Sequence, residues 1–303
     1  MKQITISKND SGRRLDKFLS KFMPRLPKSM LYKSLRKNCV RVNGKHVKDG
    51  AYMLREGDAL SLYFRDEFFE KEQRTVRTGA PLDVVYEDDN IIIVNKPRGL
   101  VVHDDDKGTK DTLIARVLGY LYEHGSYDPE REQSFVPALC NRLDRNTEGL
   151  VIAAKNAAAL RTVNEKIRSR EIKKYYICIT EGVPQKKSGT LVSYLSRLEK
   201  RVTVSDTECE NGKEIRTKYK LLQTDGSRSL LEIELLTGRT HQIRAQLASI
   251  GCPLEGDAKY GAKNTDVPYR LCSFKLVFDF SSDAGVLNYL RGKTVEIAGG
   301  IKL

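Results

Sequence analysis

No apolar run in this 303-residue chain approaches the length of a membrane-spanning helix. The opening residues, MKQITISKNDSGRRL, lack the apolar centre of a secretory signal. A membrane protein and a secreted one are both excluded from the expectation, and a cytoplasmic location remains. Cysteine is sparse and dispersed, at 39, 140, 178, 209, 252 and 272. No two cysteines have the spacing of zinc ligands or a redox pair, so free thiols are expected. The four histidines, at 46, 103, 124 and 241, form no ligand pattern either, and no metal is expected. There is no P-loop, no Gly-x-Gly-x-x-Gly and no internal repeat, so the sequence offers no familiar nucleotide cradle. Nothing calls for an obligate partner chain, and a monomer is expected.

What is present is a globular composition, 40% hydrophobic and 31% charged, with enough length for two ordinary cores. The net charge of +13 is unevenly placed. Residues 1–65 hold 16 Lys and Arg against 5 Asp and Glu, whereas the other 238 residues hold 37 against 35. A small, strongly basic segment beside a nearly neutral body points to a polyanion-binding module joined to something else. The competing readings are a solubility feature or a membrane-surface patch, and the asymmetry favours nucleic acid.

In RRLDKFLSKFM (13–23), Leu15, Phe18, Leu19 and Phe22 recur at helical spacing. Pro24 and Pro27 interrupt, and KSMLYKSLRKN (28–38) predicts a second helix with Met30, Leu31 and Leu35 inward. VRVNGKHV then places Asn43-Gly44 between alternating segments, a hairpin signal because both residues tolerate positive φ. The strand ALSLYF follows the turn REGD. Two basic helices leading into a hairpin resemble the alpha-L RNA-binding domain, named after a ribosomal small-subunit protein. The resemblance covers residues 13–64 and rests most on VRVNGKHVKDG and LREGDALSLYF. It implies RNA contact by Arg13, Arg14, Lys28, Ser29, Lys33, Arg36 and Lys37. Asp16, in the first Arg-Leu-Asp, is expected to pair with Arg13 or cap locally.

Residues 66–80 are mixed in charge, lack a clear period and suggest a linker between domains at 1–65 and 81–303. Beyond it, LDVVYEDDNIIIVNKP predicts two strands, TLIARVLGYLYEHG a helix, LVIAAK a buried strand and NAAALRTVNEKIRSR a helix. KYYICIT, the hairpin RTKYKLLQTDGSRSLLEIELL and RLCSFKLVFDF predict further strands, with a helix at THQIRAQLASIG. Strands dominate without a βαβ repeat. The expected fold is α+β, a mixed, largely antiparallel sheet flanked by helices, preceded by a small α/β RNA-binding domain.

Three segments put charge beside strands: NRLDRNTEG (141–149), KKYYICI (173–179) and LLTGRTHQIR (235–244). A carboxylate next to arginine in a partly buried site has its ionised form favoured, which suits nucleophilic or base chemistry. The competing reading of the first segment alone is an exposed ion pair worth roughly 0–1 kcal/mol, and taken alone the segment favours that pair. Together the segments resemble the pseudouridine synthase family acting on ribosomal large-subunit RNA and some transfer RNAs. VNKPRGLVVH (94–103) and GCPLEGDAKYG (251–261) fit the same resemblance, which covers 81–280. It implies cofactor-independent conversion of uridine in RNA to pseudouridine: the N1–C1′ bond breaks and C5 bonds to C1′.

The resemblance makes Asp144 the essential acid, attacking C1′ or removing the C2′ proton. Arg244 would pair with it, Arg142 would hold the flipped nucleotide or fill its place, and Tyr176 would stack on the base. Tyr175 should face the other way. Asn141 and Glu148 stand where the family usually has His and Ser, which predicts altered local bonding and preference. Asp104-Asp105-Asp106 is expected to be a solvated loop, His241 to be structural or to touch RNA, and Asp257 to hold a turn. The expected partner is RNA, with large-subunit ribosomal RNA favoured by the alpha-L domain over transfer RNA. A non-catalytic RNA-binding or ribosome-assembly factor is the competing class. A glycoside hydrolase ranks last, because it needs a second carboxylate across the bond.

Overall fold

The computed structural model describes every residue except 71–75, 105–107, 199–200 and 299–300. It has two compact units. The first comprises Met1–Gly79, Leu118–Pro137 and Lys155–Ala158, and the second Ala80–Val117, Ala138–Ala154 and Ala159–Leu303. Among the described residues no helix is long and apolar enough to cross a membrane.

The first unit contains β1 (Lys2–Thr5), α1 (Leu15–Phe22), α2 (Lys28–Arg36), β2 (Val40–Val42), β3 (Lys45–His46) and β4 (Ala59–Leu62). The strands pair in the order β1-β4-β2-β3, and all three pairings are antiparallel. Asn43 and Gly44 sit at φ 51° and 77°, the left-handed pair that the tight β2–β3 turn requires. Leu15, Phe18, Leu19 and Phe22 of α1 are buried, each side chain worth roughly 1.5–3 kcal/mol. Leu31 and Leu35 of α2 join them, but Met30 is 42% exposed, contrary to expectation. The apolar stripe of α2 is set by the i, i+4 pair, and Met30 lies one residue, about 100°, off it. Strand β1 is an addition to the expected elements, although Ile4 and Ile6 alternate with polar residues there. Phe68 and Phe69, in a short 3-10 turn at Asp66–Phe69, pack against this core, so the expected linker begins with ordered structure. Its residues 71–75 lie outside the described residues.

The remaining elements are β5 (Asp83–Glu87), β6 (Ile91–Lys96), α3 (Leu113–Glu123), β7 (Ala138–Leu139), β8 (Glu148–Ala154), α4 (Ala157–Arg168) and β9 (Ile172–Glu181). They continue with β10 (Ser188–Leu198), β11 (Arg201–Ser205), β12 (Lys213–Thr224), β13 (Arg228–Leu235), α5 (Gln242–Ser249), β14 (Leu271–Phe278) and β15 (Thr294–Glu296). The large sheet runs β11-β10-β12-β13-β9-β14-β8-β6-β5, with β15 on β14 and β7 on β8. It is mixed and largely antiparallel, as expected; β8 and β14 run parallel. Strands β7, β10, β11 and β15 are additions to the expected elements.

Successive residues of β9 separate onto the two faces. Ile172 joins the core of Ile93, Ile152, Val163 and Phe278. Ile177 and Ile179 join Leu230 and Phe274 on the other face, with Tyr175 at its edge. Tyr176 therefore shares a face with Ile172 and Lys174. Where β8 begins beside β14, Gly149 has φ 115° and an added Cβ would lie 2.3 Å from the Ser273 carbonyl oxygen. Only glycine permits this close parallel approach, which sets where the preceding loop, 140–147, leaves the sheet.

Candidate active site

Asp144 lies in that loop, between β7 and β8. Both ends of the loop are held. Asn141 Oδ1 accepts from Ile152 N at 2.8 Å and its Nδ2 donates to Leu150 O at 3.3 Å, so the amide continues the strand pairing where backbone pairing stops. This is the local bonding expected of Asn141. On the other side Lys96, wholly buried, donates to the carbonyls of Pro97, Leu100 and Arg145 at 2.9, 2.8 and 3.0 Å. Burial pushes its ammonium down to about 8, opposed by the charges of Asp144 and Glu148. Three acceptors for three N–H bonds nonetheless favour the charged form at neutral pH.

A cleft of about 270 Å³ is lined by Arg142, Asp144, Lys174, Tyr176, His241 and Arg244, among others. The three segments singled out in the sequence thus converge. Tyr176 is 5% exposed, and burial raises its phenol pKa, so it stays neutral. Tyr175 faces away, with the Lys275 ammonium 4.5 Å above its ring. Arg142 is exposed at the cleft margin. Arg244 Nη1 lies 3.5 Å from Asp144 Oδ2, across 100 residues of chain.

Arg244 is bound more tightly elsewhere. Its Nε and Nη2 donate to Asp257 Oδ2 and Oδ1 at 2.7 and 2.8 Å, a bidentate pair between buried groups. Its guanidinium also faces the rings of Tyr269 at 4.4 Å and Tyr260 at 5.1 Å. Burial works against its charge, yet the bonds to Asp257 outweigh that and raise its pKa. Asp257 therefore does more than hold a turn: it orients the arginine that meets Asp144. Sequence reasoning missed Lys96, Tyr260 and Tyr269, and gave Asp257 only the role of holding a turn. All four lie in or near segments already quoted, but their sequence neighbours carry no sign of the partners they meet.

His241 precedes α5 with φ 57°, a left-handed conformation costly for a non-glycine residue. Its Nε2 lies 3.7 Å from Asp144 Oδ2, and its Nδ1 2.8 Å from the Tyr260 hydroxyl. Burial pushes the His241 pKa down, and burial pushes the Tyr260 hydroxyl up to about 12. A neutral ring with Tyr260 donating to Nδ1 carries its proton on Nε2, facing the carboxylate; the other tautomer would aim a lone pair at it. The turn before α5 is fixed by buried amides. Gln242 Oε1 accepts from Arg239 N at 3.1 Å and its Nε2 donates to Thr217 Oγ1 at 2.9 Å. Thr217 in turn donates to Gln246, which donates to Ser193.

In the first unit, Arg14, Lys28, Ser29, Lys33, Arg36 and Lys37 are exposed. Arg13 turns inward, pairing with buried Asp10 at 3.4 Å and donating to the Ser134 hydroxyl. Asp16 pairs with Arg14, not Arg13, at 3.1 and 2.7 Å, and also accepts from the Tyr32 hydroxyl. Asp104 is exposed, while 105–107, including most of the acidic run, lie outside the described residues.

Residues 90–249 match the RNA pseudouridylate synthase family and residues 13–60 match the S4 domain. An uncharacterized RNA pseudouridine synthase of Aquifex aeolicus is 34% identical over 86% of this chain and 80% of its own length. Ribosomal large subunit pseudouridine synthase C of Escherichia coli is 32% identical over 88% of this chain and 82% of its own. The solved structure of human RNA pseudouridylate synthase domain containing 4 has a TM-score of 0.52 and 25% identity, covering 64% of this chain and 83% of that one. The chain belongs to the RNA pseudouridylate synthase family, RNA-modifying isomerases, and carries an S4 domain, the alpha-L fold, in its N-terminal part.

Proposed function

We propose that the protein converts specific uridines of large-subunit ribosomal RNA to pseudouridine, in the cytoplasm and as a monomer. The observation that carries this is the convergence of Asp144, Arg244 and Tyr176 on one cleft. Among the described residues, the cations and donors near Asp144 meet Oδ2, which leaves Oδ1 for the ribose. Asp144 acts at the sugar, by attack on C1′ or removal of the C2′ proton. Tyr176 stacks on the freed base while it turns, and Arg142 holds the extruded nucleotide at the cleft margin. The final step transfers the C5 proton away and leaves N1 protonated, so atoms balance without a second substrate. Ribosomal RNA is supported by the S4 domain and by relatives named for the ribosomal large subunit. The basic residues Arg14, Lys28, Ser29, Lys33, Arg36 and Lys37 would contact that RNA, with Arg13 steadying them from inside.

The test is incubation with unmodified large-subunit ribosomal RNA and, separately, transfer RNA, followed by chemical mapping of pseudouridine. Product in ribosomal RNA that Asp144→Asn abolishes, with RNA binding retained, is the expected result. Product confined to transfer RNA would correct the substrate. Binding without any product in either RNA would favour a non-catalytic assembly factor.

A further inference from the structure

The cleft does not end beside Tyr176. Lys174, two residues earlier on the same face of β9, lines it as well. Among the described residues no carboxylate pairs with this lysine, and burial pushes its ammonium pKa down. A charge held there without a partner calls for an anion. Gly238 lies close beside it: a Cβ added there would be in van der Waals contact with the Lys174 Nζ, at 3.6 Å.

A second hollow of about 460 Å³ shares Lys174, Gly238 and Arg239 with the cleft and runs on to Arg168 and Arg170 at the end of α4. Arg168, Arg170 and Arg239 are exposed. Lys173 also lines the hollow but is paired with Asp279 at 2.6 Å. The acid in its lining, Glu234, is approached by Lys218 at 3.7 Å. Four cations therefore face a concave trough continuous with the cleft. Arg170, where the chain leaves α4, has a left-handed backbone, φ 63°.

We propose that this trough seats the single-stranded RNA segment next to the target uridine, with Lys174 on the phosphate of the extruded nucleotide. Arg239, Arg168 and Arg170 take the phosphates that follow. Cations spread along a groove match a chain of phosphates better than one small anion. A base removed from its stack also needs its flanking backbone held away from the duplex. The inference rests on the cleft being the catalytic site described above, and it names the strand's path from it.

The experiment measures the affinity of the full chain for a short single-stranded uridine-rich RNA across a salt series. Each lost phosphate contact should lower the slope of log affinity against log salt by about 0.7. Arg168→Gln/Arg170→Gln should therefore lower it by about 1.4, and Lys174→Met by about half that. With unmodified ribosomal RNA, the arginine pair should raise KM several-fold while kcat stays within about twofold. An unchanged slope in the double variant, whose two residues are exposed, overturns the proposal. So does a Lys174→Met variant that loses only inorganic phosphate binding, which would make the site a free-anion site. Retained activity in Asp144→Asn would sink the catalytic reading alone, since the salt slopes judge the trough without any turnover.

Discussion

Replacing Asp257 with asparagine separates charge from shape at the centre of the site. Asparagine keeps one acceptor oxygen and almost the same volume, but leaves the buried Arg244 guanidinium without its bidentate anion. Breaking a buried ion pair by removing one partner costs about 3–5 kcal/mol. The retained amide oxygen and the two flanking tyrosine rings offset part of this, so a loss of about 2–3 kcal/mol is expected. That corresponds to a fall in Tm of about 5–8 °C. Freed of Asp257, Arg244 has Asp144 as its nearest anion, now at 3.5 Å. Closing to hydrogen-bond distance changes the Coulomb energy by only about 1 kcal/mol at an effective dielectric of 20, several-fold in rate. A larger loss must come from displacing Asp144, because an arginine locked onto the carboxylate competes with the ribose. We expect kcat for pseudouridine formation to fall at least about thirtyfold, with RNA affinity unchanged. Thermal unfolding and single-turnover assays measure the two effects. Wild-type Tm and kcat in Asp257→Asn would refute the claim that Asp257 orients Arg244. As a control, Glu67→Gln at the exposed Arg65 pair should move stability by no more than about 0.5 kcal/mol.

Tyr260→Phe keeps the ring beside Arg244 and removes the hydroxyl on His241 Nδ1. The nitrogen NMR spectrum of the histidine ring should change from an Nε2-protonated form to a mixture, and kcat should fall about tenfold; a wild-type ring spectrum would remove the proposed tautomer lock. Gly149→Ala drives a Cβ into the Ser273 backbone at a φ that alanine resists, so stability should fall by more than about 3 kcal/mol. Denaturant unfolding checks it, and a loss under 1 kcal/mol would show that β8 and β14 can separate freely. Lys96 has a folded pKa near 8, below its ordinary 10.5. The unfolded chain therefore binds more protons between these values, and stability rises with pH across the window by about 3 kcal/mol from this group. Lys96→Met should lack that rise, measured as the difference from wild type in urea unfolding at both ends; parallel curves would contradict it.

Local chemistry and periodicity were enough to recover most elements and the three charged segments. Helices α1 and α2 announce themselves because a 3.6-residue stripe must be buried, and the Asn43-Gly44 turn because few residues tolerate positive φ. The same reasoning placed Tyr176 on one face of β9 and Tyr175 on the other, since side chains alternate along any strand. Elements with weaker marks do not stand out: β7 and β15 are two and three residues long, β10 is rich in polar residues without a clean period, and β11 alternates over only five residues. Met30 differs from the expectation because two adjacent apolar residues, Met30 and Leu31, both fit a helical pattern within one position, and only packing decides which is buried.

Partnership across the chain is a different matter. NRLDRNTEG by itself suggests an ion pair among its own arginines. In the folded protein the arginine meeting Asp144 comes from 100 residues away, and is itself aimed by Asp257. The early Arg-Leu-Asp differs again: Asp16 takes Arg14 and Tyr32 from its own unit. A sequence carries the kinds of group available and their spacing along one dimension. Which carboxylate faces which cation depends on sheet order, on the parallel approach allowed by Gly149 and on the amides that pin α5. Those are long-range packing effects that no local period encodes.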